Sequence, residues 1–121
     1  MLVLLMTLSV VLHAQSIESV SAAIRAGNAA ALSQSFSGNV EITIKDAEAS
    51  YSKSQAEMVL KNFFGTHVPR SFSIVHQGTS PEGSKYYIGN LTTSAGNFRT
   101  YIYAKSSGAL LVVQEIRFEA Q

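Results

Sequence analysis

The sequence predicts an α+β fold in which helices lead and an antiparallel sheet follows, in the order ααβαββββ. Three observations carry this reading. A segment starting at Ser52 combines a capping box with an apolar stripe of helical period. Val40, Ile42 and Ile44 alternate with polar residues, as in a half-buried strand. Beyond Pro69 the chain breaks into four strand-like stretches separated by three clusters of turn residues.

Taken in order, Ile17, Val20 and Ile24 fall at i, i+3 and i+7 and share one face of a first helix. Ser16 caps its start, and Gly27 is placed to end it in the left-handed conformation. Asn28 caps a second short helix, favoured by Ala29, Ala30 and Ala31, anchored by Leu32 and Phe36, and stopped by Gly38. The strand Val40–Lys45 follows, and Asp46–Ser50 reads as a polar loop. In the third helix, Ser52 and Gln55 form the capping box, and Ala56, Val59, Leu60, Phe63 and Phe64 form the stripe. Gly65 closes it and Pro69 prevents its resumption. Tyr51, just before the cap, is placed to staple onto the helix.

The four strands are Ser71–Gln77, Lys85–Thr93, Phe98–Ala104 and Leu110–Phe118. Ser80-Pro-Glu-Gly83, Ser94-Ala-Gly-Asn97 and Ser106-Ser-Gly108 join them. Links this short imply an antiparallel meander. Gly89, inside the second of these strands, marks a bulge where the sheet bends. Phe98, Ile102, Leu110, Val112, Ile116 and Phe118 are the expected core face of the last two strands.

The chain has 121 residues, 46% of them hydrophobic and 14% charged. That supplies a real core and argues against disorder. The nine Lys and Arg are dispersed and the formal net charge is +1, so no clustered cationic face for nucleic acid or an anionic membrane is present. With no cysteine, disulfides, thiolate metal sites and a Cys nucleophile are excluded. Met1 to Leu12 is apolar apart from Thr7 and Ser9, and His13-Ala14-Gln15 follows. This run is shorter than the about 20 residues needed to span a bilayer and ends in a small residue, as a signal peptide does. The expectation is a leader over 1–14, cleaved after Ala14, and one exported domain over 15–121, periplasmic or extracellular, with no membrane span in the mature chain.

A bent sheet wrapped around the long helix makes a cone with an open end. This element order resembles the nuclear transport factor 2-like (cystatin-like) superfamily. Within it, Ala26-Gly-Asn-Ala-Ala30, Tyr51-Ser-Lys-Ser-Gln-Ala-Glu57, Phe63-Phe64, Val75-His-Gln-Gly78, Tyr87-Ile-Gly-Asn-Leu91 and Gln114-Glu-Ile-Arg-Phe118 together resemble a small bacterial exported family, domain of unknown function 4783. The resemblance implies the cone and an exported setting. It implies no reaction, and no catalytic residues carry over.

Enzymes of the superfamily place a carboxylate or a His-Asp pair inside the cone, with Tyr or protonated Asp donors beside it. Here the one Asp, Asp46, falls in a loop, so that pattern is not matched. The remaining candidates for holding a ligand are His76, Arg99, Tyr101, Glu115 and Arg117. Arg99, Tyr101 and Tyr103 share one strand face, and Glu115 and Arg117 share another. A turn centred near Ser107 would set Arg99 opposite Glu115. They either line the open end of the cone around a polar ligand or form a cross-strand surface pair worth roughly 0.2–1 kcal/mol. His76 is a proton shuttle at the cone mouth or simply bonds a neighbour. His67 reads as exposed loop, and two scattered histidines without cysteine do not make a zinc site. Asn90-Leu-Thr92 fits a glycosylation acceptor by chance in a mid-strand position. No cofactor is called for. The leading expectation is a non-catalytic binding or interaction module that takes a small ligand in the cone or a protein on its sheet. The alternative is a cryptic enzyme of the isomerase or dehydratase type using His76, Arg99, Tyr101 and Glu115. A homodimer packed sheet to sheet is a third arrangement.

Overall fold

The computed structural model describes residues 16–121; the segment read as a signal peptide lies outside the described residues. The elements are α1 (Ile17–Ala26), α2 (Ala29–Ser33), β1 (Phe36–Ile44), β2 (Ala47–Ser52), α3 (Lys53–Thr66), β3 (Pro69–Thr79), β4 (Ser84–Thr93), β5 (Gly96–Ser107) and β6 (Leu110–Ala120). The six strands form one sheet in the order β2-β1-β6-β5-β4-β3. All neighbours are antiparallel except β1 and β6, which are parallel. The meander β3–β6 is as predicted. The strand β2 is an addition to the predicted order. Ala47-Glu-Ala-Ser50 alternates nothing larger than alanine with its polar residues and is an exposed edge strand, so its pairing with β1 is what reveals it. Lys45, at φ 59°, makes the tight turn between them without a glycine. No helix among the described residues is long and apolar enough to cross a membrane.

The caps behave as the sequence indicates. Ser16 and Ser19 form a capping box on α1, and Ser52 and Gln55 form one on α3. Gly27 ends α1 at φ 64°, and Asn28 Oδ1 accepts from Ala31 N–H at 3.0 Å to start α2. Two ends differ. Phe36 belongs to β1 rather than to α2, because the Ser35 carbonyl accepts from Val113 N–H at 2.7 Å and draws the chain into the sheet. Gly65 lies within α3, and His67 caps it. The ring of His67 stacks on Phe63 at 4.6 Å, which makes this histidine part of the helix end rather than loop.

Two of the sheet's register shifts bear on the predicted positions. The register between β3 and β4 shifts between Ile74 and His76, so the extra residue is Val75 on β3 and not Gly89 on β4. Gly89 is required for a different reason: the ring of Phe72 lies against it. The register between β5 and β6 also shifts, with Tyr103 opposite Glu115 but Ala104 opposite Val113. The residue between them, Gln114, reverses the facing of the first part of β6. Leu111 and Val113 are therefore buried, while Leu110 is exposed and Val112 only half-buried. The predicted core positions Leu110 and Val112 are displaced by one residue for this cause. Ile116 and Phe118, beyond the bulge, are in the core as expected.

The helices cover one sheet face and fill it with side chains. Val20 and Ile24 of α1, Leu32 of α2, and Ala56, Leu60, Phe63 and Phe64 of α3 meet Phe72, Leu91, Phe98, Ile102, Ile116 and Phe118 of the sheet. Tyr87 also points inward; burial, and then the charge of Glu18, pushes its phenol pKa up. One polar atom sits badly in this core. Thr100 is 0% exposed, and its hydroxyl has no hydrogen-bond partner among the described residues. Thr100→Val keeps the shape and removes the orphaned hydroxyl, so it should stabilise the fold by about 1–2 kcal/mol, read as a higher denaturant midpoint.

Candidate functional site on the open sheet face

The sheet face opposite the helices is laid out by strand register. Gly78, Tyr86, Tyr103, Glu115, Glu41 and Ser50 form one row across all six strands. His76, Ile88, Tyr101, Arg117, Thr43 and Glu48 form the next. Arg99 and Glu119 are opposite one another in a third. All five sequence-predicted residues, His76, Arg99, Tyr101, Glu115 and Arg117, thus share this open face. The interior of the cone is occupied by the core instead.

Arg99 is not opposite Glu115. The turn between β5 and β6 is Gly108-Ala109, with Ser107 paired to Leu110, and the bulge at Gln114 adds one further residue of offset. Arg99 therefore meets Glu119, and Glu115 meets Tyr103. Arg117 is held from two sides: it donates to Glu119 Oε1 at 2.8 Å, and its guanidinium carbon lies 5.8 Å from the centre of the Tyr101 ring. Both members of the ion pair are 40% exposed, so the pair mainly orients the guanidinium rather than stabilising the fold.

His76 contacts Tyr86 through a long 3.5 Å approach of its Nε2 to the phenol oxygen. The Tyr86 ring and hydroxyl lie against Gly78, where any side chain would collide with them. His76 and Glu115 are separated by β4 and β5, three strand spacings or about 14 Å. They face the same side but do not meet at one reacting centre, so the proton-transfer grouping of His76, Tyr101, Arg99 and Glu115 is not assembled.

The residue that sequence reasoning passed over is Glu41. Alternation with Val40 and Ile42 already turns it outward. Its pairing with Glu115 depends on the parallel β1–β6 contact, which joins segments far apart in the chain and leaves no local signal. Burial raises the Glu115 carboxyl above the ordinary range. A hydrogen bond with Glu41 and the charges of Glu41 and Glu48 raise it further, while Arg117 pulls it down. Glu41, Glu115, Asn39, Ser50, Tyr103 and Gln114 line a shallow cleft of about 340 Å³. A second cleft, of about 560 Å³, lies on the helix side between the α1–α2 turn and α3, around Asn28, Met58 and Lys61. Among the described residues no three His, Asp or Glu side chains are grouped to hold a metal ion.

Three helices backed onto one face of a curved six-stranded sheet define an α+β cone of the nuclear transport factor 2-like, cystatin-like class. Solved structures agree. A domain of unknown function with a cystatin-like fold from Nostoc punctiforme aligns with a TM-score of 0.68 at 8% identity, covering 87% of this chain and 72% of that one. An NTF-2 like protein of unknown function from Silicibacter pomeroyi aligns with a TM-score of 0.65 at 10% identity, covering 87% and 89%. Within this class, the family model described as "Domain of unknown function (DUF4783)" matches residues 17–119, and the chain belongs to that family. A DUF4783 family protein from Bacteroides uniformis is 30% identical over 86% of this chain and 95% of that one, with a TM-score of 0.79. One from Bacteroides fragilis is 27% identical over 85% and 96%, also with a TM-score of 0.79. No curated protein matches the chain.

Proposed function

We propose that this protein is an exported, non-catalytic interaction module that docks a protein partner on the open face of its sheet. The observation that carries this reading is the contrast between the two faces. The helix-side face is covered by packed core side chains. The open face presents Tyr86, Ile88, Tyr101 and Tyr103 among Arg99, Arg117 and the glutamates, with Tyr103 44% exposed. Tyrosine and arginine are the residues that protein interfaces favour, because they bring large contact area with a polar end. Export is supported by the apolar run Met1–Leu12 ending at Ala14.

A photo-crosslinking residue at position 103 tests the reading in bacterial cells producing the whole chain. The expected product is recovered outside the cytoplasm, begins at Gln15, and is joined through position 103 to one discrete protein, a second copy of this chain included. The same residue at Met58, exposed on the helix side, is expected to give none. Adducts at 58 alone, or at neither position, would overturn the docking face; a product still beginning at Met1 would overturn export.

A further inference from the structure

The β1–β2 hairpin reaches the rest of the sheet only through the pairing of β1 with β6. That seam is short. Its register breaks between Phe36 and Glu41, so the continuous rungs are Glu41–Glu115, Ile42–Ile116, Thr43–Arg117 and Ile44–Phe118. The first rung places two carboxyl groups side by side on the same face. Like charges in directly paired positions push strands apart. Arg117, one rung along, offsets part of this repulsion, but its guanidinium is engaged with Glu119. The group opposite Glu115 on β5 is the phenol of Tyr103, and the group opposite Glu41 on β2 is the hydroxyl of Ser50. Glu48 on β2 brings a third carboxyl near the pair, while Lys45 and Asp46 lie in the turn at the other end of the seam. On the core side the same seam is apolar, with Ile42 and Ile116 buried, so the acidic charge in its first rung comes from the two glutamates.

We propose that the Glu41–Glu115 rung is a proton-operated latch, which seats the β1–β2 hairpin on the sheet while the two carboxyls share a proton and loosens it when the proton is lost. The sign follows from the raised Glu115 carboxyl. The folded protein keeps this proton to a higher pH than the unfolded chain does. The stabilisation is therefore complete below the ordinary glutamate range and is lost as pH rises through the folded value. What the latch releases is a hairpin and not the whole domain, because β3 to β6 remain an unbroken antiparallel meander with its own core. The latch rests on strand register and is independent of the docking reading above.

Amide hydrogen exchange on the isolated protein reads the latch directly, since it resolves local opening from global unfolding. After correction for intrinsic exchange, the amides of Ile42, Thr43 and Ile44 should be about two- to fivefold less protected at about pH 8 than at about pH 3.5, below the ordinary glutamate range, the size set by one like-charge cross-strand pair. Amides of β4 and β5, such as Ile102, serve as the internal reference and should not follow. Glu41→Gln and Glu115→Gln should each remove the difference, and both are outward-facing changes that leave the core intact. Equal β1 protection at the two pH values, or a difference that persists in both variants, would overturn the latch.

Discussion

Replacing Phe63 with alanine is expected to destabilise the fold by about 3–5 kcal/mol, the largest effect of any single substitution considered. Phe63 sits where helix and sheet meet. Its ring lies 5.3 Å from Phe98 in an edge-on arrangement, 4.7 Å from Phe118 and 4.6 Å from His67. Phe98 and Phe118 belong to paired strands, β5 and β6, and cannot move in to close the space. The cavity would therefore persist, and its cost adds to the lost transfer energy of the ring. The cap of α3 would suffer as well, since His67 stacks on that ring and its N–H donates to the Phe63 carbonyl at 2.8 Å. Equilibrium denaturation should show a lower midpoint with an unchanged slope. Met58→Ala, on the exposed side of the same helix, should stay within about 0.5 kcal/mol of the parent. Similar losses for the two variants would mean that helix propensity, and not packing, sets the effect.

Gly89→Ala is expected to cost about 1–3 kcal/mol, although it adds a single methyl group. A Cβ at this position would lie 2.6 Å from Phe72 Cε2 and Cζ and 2.9 Å from the Ser73 carbonyl oxygen. One obstacle is a buried ring and the other is backbone, so neither yields cheaply. Gly65→Ala provides the contrast. Its Cβ would meet nothing within 4 Å, and it lies inside α3, so alanine there should gain about 0.5–1 kcal/mol. Trimming the obstacle should restore part of the loss: Gly89→Ala combined with Phe72→Leu should be less destabilised than the sum of the two single changes. Strict additivity in that cycle would show that the ring is not what excludes a side chain at 89.

The sequence by itself determined the elements whose causes are local. The cap at Ser16, the capping box at Ser52, the Gly27 stop, the apolar stripe of α3 and the turns between β3, β4, β5 and β6 all depend on residues a few positions apart. Their chemistry is written in adjacent letters, so α1, α3 and the meander were legible, and with them the cone and the family. Tertiary structure alone decided the features that depend on which distant segments meet. Ala47–Ser52 is a strand only because β1 offers it a partner. The bulges at Val75 and Gln114 arise from matching a curved sheet to its neighbours. The second of them moved the core of β6 from Leu110 and Val112 to Leu111 and Val113 and, together with the position of the Gly108-Ala109 turn, moved Arg99 from Glu115 to Glu119. A one-residue slip reverses every side chain that follows it, and alternation alone cannot reveal where it occurs. For the same reason alternation could group Arg99 with Tyr101 and Glu115 with Arg117, each pair on one face of its strand, but could not choose between the mouth of the cone and its outer surface. That placement was settled by the helices, whose apolar stripes claimed the other face first. The pairing of Glu41 with Glu115 lies furthest from the sequence, since it requires a parallel contact between the first strand and the last.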